Sequence, residues 1–210
     1  MKRVVTYLII GILYTGVLVA QTSSAVVEVE VDRSSILSIN GSSNVVDFTL
    51  SQGSENFIQK KLIVTASQHN RKLYLSENRL TVPVKKFTSS NKMALRDFNK
   101  LLQSDKFPTM DIRLNHVDLP EAGSTTGLAV VDVTITGITK KYQFPIKTER
   151  SGKGYIFDVE KSINIRDFGL EPPVQMMGML KVNEMININL RVKCNIQPAE
   201  SAQLNQLHNK

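Results

Sequence analysis

Between Leu180 and Val192 apolar and polar residues take turns: Leu180, Val182, Ile186, Ile188, Leu190 and Val192 share one parity, with Lys181, Asn183, Asn187, Asn189 and Arg191 on the other. A repeat of two fits a strand with one buried face, whereas a helix would scatter these side chains around its circumference. Glu184 interrupts the apolar series and marks a bulge or the strand's exposed entrance. The same parity returns at Tyr155, Phe157, Val159, Ile163 and Ile165, at Ala129, Val131, Val133 and Ile135, at Tyr142, Phe144 and Ile146, and at Met110, Ile112, Leu114 and His116. Near the N-terminus Leu37 and Ile39 precede Val46, Phe48 and Leu50, and Arg79 to Lys85 reads as a further strand. The fold class that follows is all-β.

Short turn signals separate these runs. Gly41-Ser42-Ser43-Asn44, Gly137-Ile138-Thr139 and Ser151-Gly152-Lys153-Gly154 each sit where the chain must reverse, and Gly123 to Gly127 joins two more strands. Antiparallel neighbours with short links predict a meander of about eight strands closing into a barrel, which removes exposed edges. One segment reads as helix, about 91–104: Ser90 or Asn91 caps it, and Met93, Leu95, Phe98, Leu101 and Leu102 recur at helical spacing. Its apolar side is expected to plug one barrel end. Residues 51–78 suggest a strand pair through Ile58, Leu62, Val64, Leu73 and Leu75, with polar interruptions.

Met1-Lys2-Arg3 followed by an uncharged run from Val4 to Ala20 has the form of a secretory signal. Residues 1–25 are assigned to it, with cleavage after Ala20 or after Ala25; only the latter places small residues at both positions of the cleavage pattern. An uncleaved membrane anchor is the alternative, since the run approaches spanning length. The domain is expected over 26–196 and a polar tail over 197–210. Export implies a periplasmic or secreted protein. The full chain carries +7; losing Lys2 and Arg3 leaves 24 basic against 19 acidic residues, or +5. The paired lysines Lys60-Lys61, Lys85-Lys86 and Lys140-Lys141 form no continuous stripe, which argues against nucleic-acid binding. Transient contact with a membrane surface is compatible with this charge. The single cysteine, Cys194, cannot form an internal disulfide, so the apolar core must hold the fold.

Catalytic and metal signatures are absent from the sequence. His69, His116 and His208 are scattered, and no phosphate loop or metal-ligand spacing occurs. His116 falls on the apolar parity of its run, where a structural histidine outweighs a ligand, and Asp111 and Asp132 could meet a histidine only through the fold. No cofactor, no metal and no enzymatic activity are expected.

The ordered set of motifs resembles the YceI-like domain family. It comprises Gly41-Ser42-Ser43-Asn44-Val45 with Phe48, the helix ending in Asp105-Lys106-Phe107-Pro108, Gly137-Ile138-Thr139-Lys140, and Phe168-Gly169-Leu170-Glu171-Pro172-Pro173, spread from about Val31 to Lys193. The resemblance implies a lipocalin-like barrel, exported to the periplasm, that holds a polyisoprenoid or an isoprenoid quinone in its lumen. Residues 51–78 depart from the family pattern; were they the mouth, ligand choice would depart too.

Under that resemblance the inward candidates for lipid contact are Val131, Val133, Phe144, Phe157, Ile186, Ile188 and Leu190, each of which would equally serve as core. Met176, Met177 and Met179 are entrance candidates, because methionine adapts to irregular apolar shapes; packing beneath their loop is the competing role. Two functions remain open: an exported carrier, store or sequestering protein for an isoprenoid-type lipid, and a ligand-free barrel acting as an interaction module of the cell envelope. Oligomeric state is not readable from the chain.

Overall fold

The computed structural model describes residues 23–121, 123–152, 154–175 and 179–199 of the 210. The leader up to residue 22, Met176, Met177 and the last eleven residues lie outside them.

Eight antiparallel strands close on themselves: β1 (Ser23–Val31), β4 (Lys61–His69), β5 (Lys72–Leu75), β7 (Thr109–Asp118), β8 (Thr126–Ile135), β9 (Ile138–Ser151), β10 (Gly154–Asn164) and β13 (Met185–Pro198), which returns to β1. Two of the walls are shared. Cys194 to Pro198 of β13 pair with β1, while Asn187 to Arg191 pair with β2 (Ile36–Ser42), itself paired with β3 (Asp47–Gly53). Likewise Val117 and Asp118 of β7 pair with β5, while Thr109 to Arg113 pair with β6 (Arg79–Pro83). The Ser51–Thr88 bridge brings the β3 side to the segment following β6. The barrel is therefore closed through β1, β4 and β5 in one half and walled by β2, β3 and β6 in the other.

Helix α1 (Lys92–Leu101) lies over that second half. Asn91 caps it, its Oδ1 accepting from the Ala94 amide at 3.0 Å, which satisfies one of the helix's free N–H groups. The cap is itself anchored: the Asn91 amide donates to Ser89 Oγ, and that hydroxyl donates to the Thr49 carbonyl of β3 at 2.6 Å. Phe98 meets Phe87 edge to face at 5.1 Å, and Leu101 and Leu102 pack on the core, so the expected plug is present.

The core itself follows the sequence alternation. Leu37, Ile39, Leu50, Val131, Val133, Phe144, Ile163 and Ile188 are buried together. A fully buried leucine-sized side chain contributes about 1.5–3 kcal/mol relative to exposure, and in a chain whose one cysteine is free this burial must hold the barrel. Among the described residues no helix is long and apolar enough to cross a membrane.

Several local expectations change. The first turn is Ser43 to Val46, and Gly41 lies inside β2 opposite Phe48. Leu180 and Lys181 form β12, paired with β11 (Val174–Gln175), so β13 starts only at Met185. The run from Arg79 stops as a strand at Pro83 and turns through a 3-10 segment, Val84–Lys86. Residues 51–78 contain the β4–β5 hairpin, whose turn residues Asn70 and Arg71 have positive φ of 47° and 62°. The turn between β8 and β9 is Thr136-Gly137, with φ of 49° and 83°. Both central residues being positive is what a two-residue hairpin of strand-matching twist requires, and glycine adopts it without strain. Finally, β13 extends to Pro198 and so takes in the first two residues of the polar tail.

His116 is moved by a bulge. The register between β7 and β8 shifts between Leu114 and His116, so Val117 pairs with Ala129 on the inward face and His116 is displaced to the other. There it accepts contact from Lys72 Nζ at 2.8 Å and tilts against Tyr74 at 5.8 Å.

Candidate functional site

Beneath α1 the barrel is not filled. A void of about 120 Å³ lies there, inside about 1180 Å³ of non-atom space that includes its open mouth. Strands β2 and β3 supply Leu37, Ile39, Phe48 and Leu50; β6, β7 and β8 supply Val82, Met110, Ile112, Val133 and Ile135; β13 supplies Ile186 and Ile188. The helix closes it with Met93, Ala94, Phe98 and Leu101. Polar side chains touch it at Ser43, Asn91, Asp97 and Asn183, and Asp97 is the single titratable group in that lining among the described residues.

One wall is made by the segment after β10. Pairing between β9 and β10 ends at Ile146 and Val159, after which the two strands separate. The 3-10 turn Ile165–Phe168 fills the gap with Phe168, which is 1% exposed and lies 6.1 Å from the Tyr142 ring. Tyr142 Oη donates to Asp167 Oδ2 at 2.7 Å; burial, then the Asp167 carboxylate, push this phenol well above its ordinary range, so it stays a donor. Arg166 binds both Glu184 and Glu171, the latter at 2.7 and 2.8 Å. The acid that breaks the apolar series before β13 thus ties that strand's start to the Phe-Gly-Leu-Glu-Pro-Pro segment. Ile165 and Leu170 from this segment line the pocket.

The mouth lies between the β2–β3 turn, the start of α1 and the β11–β12 hairpin. Asn44 links the first and last of these: its Nδ2 donates to the Met179 carbonyl at 2.8 Å and its Oδ1 accepts from the Lys181 amide at 2.9 Å. Met179 stands 75% exposed on this rim. Met176 and Met177 lie outside the described residues.

Of the seven inward candidates, Val133, Ile186 and Ile188 line the void. Val131 and Phe144 are buried in the surrounding core, and Leu190 packs against it one inward step beyond Ile188. Phe157 is half-buried beside Tyr155, centroids 6.3 Å apart, toward the half of the barrel away from the helix. Residues 51–78 do not contribute to the lining. The alternation assigns Leu37, Ile39, Phe48 and Leu50 to strands without marking them for the site, and the helical spacing of Met93 and Phe98 indicates only a plug. The amphipathic helix following a strand pair was the available signal.

Other titratable groups are accounted for elsewhere. Asp111 binds Arg79 and Thr81, the latter at 2.7 Å. Asp118 accepts from Lys72 at 2.6 Å beside His116. Burial pushes the Cys194 thiol up to about 11, which makes it a poor nucleophile. Among the described residues no three His, Cys, Asp or Glu side chains are placed to hold a metal ion.

A family model described as the YceI-like domain matches residues 17–194. The chain belongs to the YceI-like domain family. Solved structures carry the same fold. BcnA of Burkholderia cenocepacia superposes with a TM-score of 0.59 at 15% identity, covering 78% of this chain and 99% of that one. A polyisoprenoid binding domain from Saccharophagus degradans gives 0.54 at 9% identity, covering 80% and 98%. Comparison with curated protein sequences gives no match. The YceI-like fold therefore spans nearly all of what the structure describes, and the α1-covered void lies inside it.

Proposed function

We propose that this YceI-like protein binds an apolar, isoprenoid-type lipid, a polyprenyl chain or an isoprenoid quinone, in the void under α1, and that it is exported to carry, store or sequester that lipid. The observation that carries the reading is the void itself, walled by aliphatic and aromatic side chains with its few polar groups at Ser43, Asn91, Asp97 and Asn183. Such a site recognises shape and apolar surface and needs no dedicated motif. Burying ten carbons contributes about 8 kcal/mol before ordering costs, enough for micromolar binding at best. The polyisoprenoid binding domain of Saccharophagus degradans with its similar fold supports this ligand class. Binding without turnover is the accompanying reading, supported by a lining that is almost wholly aliphatic and aromatic.

Native mass spectrometry of protein from its own host tests the ligand. A co-purifying isoprenoid species supports the reading; a clean apo mass, together with no uptake of an isoprenoid quinone from detergent, refutes it.

Export is read from the leader. The pairing of β1 with β4 supports cleavage after Ala20, because Ser23, Ser24 and Ala25 pair with Gln68, Ser67 and Ala66. A cut after Ala25 would strip three pairs from that ladder. N-terminal sequencing of the processed chain should begin at Gln21; a start at Val26 or at Met1 would overturn this.

A further inference from the structure

We propose that the rim of the pocket is a lipid-surface contact, with Val45, Val46, Met93, Val174 and Met179 entering the boundary between headgroups and acyl chains. Its biological purpose rests on the ligand reading above, but the contact itself rests on the rim. Among the described residues the four most exposed large hydrophobic side chains are Met179 (75%), Val45 (72%), Ile63 (65%) and Val174 (59%). Three of these four adjoin residues of one opening: Val45 lies between Ser43 and Val46, Val174 follows Pro173, and the Met179 carbonyl accepts from Asn44 beside Ser43. Val46 and Met93, also exposed, line the opening itself.

The described residues at the tips bond to one another. Ser43 Oγ accepts from the Val45 and Val46 amides, and the Ser43 amide donates to the Val46 carbonyl. Asn44 donates through its amide to the Lys181 carbonyl and through Nδ2 to the Met179 carbonyl, and the Val182 amide donates to the Pro173 carbonyl. An element that enters an apolar layer must satisfy its backbone internally, and these bonds serve that need at the β2–β3 turn and at Met179, Lys181 and Val182. Scattered apolar tips around a hole also suit a fluid surface better than a rigid partner. A second copy could bury them only by sealing the mouth that the pocket needs. Lys92 and Lys181 are exposed on the same rim against the exposed Asp47, and Asp97 has Arg96 Nε at 3.6 Å, a small bias toward anionic headgroups. Loading then requires no passage through water: the lipid moves from the bilayer past Val46 and Met93 into the void.

The test is flotation of the protein, as its host processes it, with vesicles of phosphatidylcholine alone and with phosphatidylglycerol added. Wild type should float with both and more with the anionic vesicles. The double variant Val45→Asp, Met179→Asp should partition at least about tenfold less, while Ile63→Asp, equally polar but on the β4 wall, should match wild type. Thermal midpoints of all three should agree. Wild type remaining in the aqueous fraction overturns the proposal, as does an equal loss for Ile63→Asp. A wild-type dimer that the double variant splits, seen by light scattering, also overturns it in favour of self-association. Uptake of an isoprenoid quinone from detergent separates the two readings: its absence in wild type, together with a clean apo mass, refutes the ligand and leaves the flotation result to decide the contact.

Discussion

Gly41 sits directly across from Phe48 on adjacent strands, and a Cβ at Gly41 would fall 2.5 Å from the Phe48 ring. The ring lies over the bare backbone of β2 and from there forms part of the pocket wall. Gly41→Ala should force the ring off this position, and the open side is the void. The expected cost is about 1–3 kcal/mol in denaturant unfolding, typical of overpacking, with isoprenoid uptake reduced in proportion to the space lost. Unchanged uptake together with unchanged stability would show that the ring can swing outward freely.

Asn91 holds the helix that roofs the pocket. Asn91→Ala removes the bond to the Ala94 amide and should lower stability by about 1 kcal/mol. The larger effect is expected on kinetics, because fraying of the first turn moves Met93 and Ala94 off the mouth. Ligand release measured by stopped flow should quicken, and amide exchange should rise at the start of α1 while that of β8 and β9 stays as in wild type. Uniform acceleration across all strands would argue against a local role.

The barrel was legible in the sequence and the pocket much less so. Alternation at positions such as Val131, Val133, Ile186 and Ile188 reports a face, and every one of those residues does point inward. Parity cannot say whether the inward space is packed or empty. Val131 and Val133 share a strand and a face, yet only Val133 borders the void. That difference is set by where α1 crosses the barrel, a matter of tertiary placement. His116 was misplaced for a local reason, since one extra residue in β7 reverses the parity after Leu114 without any sequence mark. Glycine at 41 reads in the sequence as a turn former, but its lack of a side chain serves the close approach of Phe48. Glu184 interrupts the alternation visibly, and only the structure supplies Arg166 as its partner.

Asp111 sits between β6 and β7, bonded to Arg79 and Thr81, and the Arg79 guanidinium holds its carboxyl below the usual range against the opposing effect of burial. A carboxyl whose folded pKa is depressed stabilises the fold above its unfolded value, near 3.9, and loses that contribution as pH falls through the folded value. Asp111→Asn should therefore be less stable than wild type at pH 7, by about 1 kcal/mol. The gap in urea midpoints should narrow below about pH 4 and close when both forms are neutral. A gap independent of pH would mean that packing, not charge, sets the cost.

The size of the void fixes how much of a chain it can hold. One water needs about 10–15 Å³ of such space, so about 120 Å³ admits on the order of ten non-hydrogen atoms, or two isoprene units. Across prenols of increasing length, affinity should grow by about 0.8 kcal/mol per buried carbon up to that point and then flatten, the remainder of the chain lying at the mouth. Phe98→Ala should move the plateau to longer chains, because the removed ring borders the void, and should cost about 2 kcal/mol of stability, since the ring is only partly buried against Phe87. Isothermal titration with prenols of one to five isoprene units reads both effects. A slope that continues undiminished through the longest prenol in wild type would show that the barrel opens well beyond this void, and would move the binding site deeper than α1.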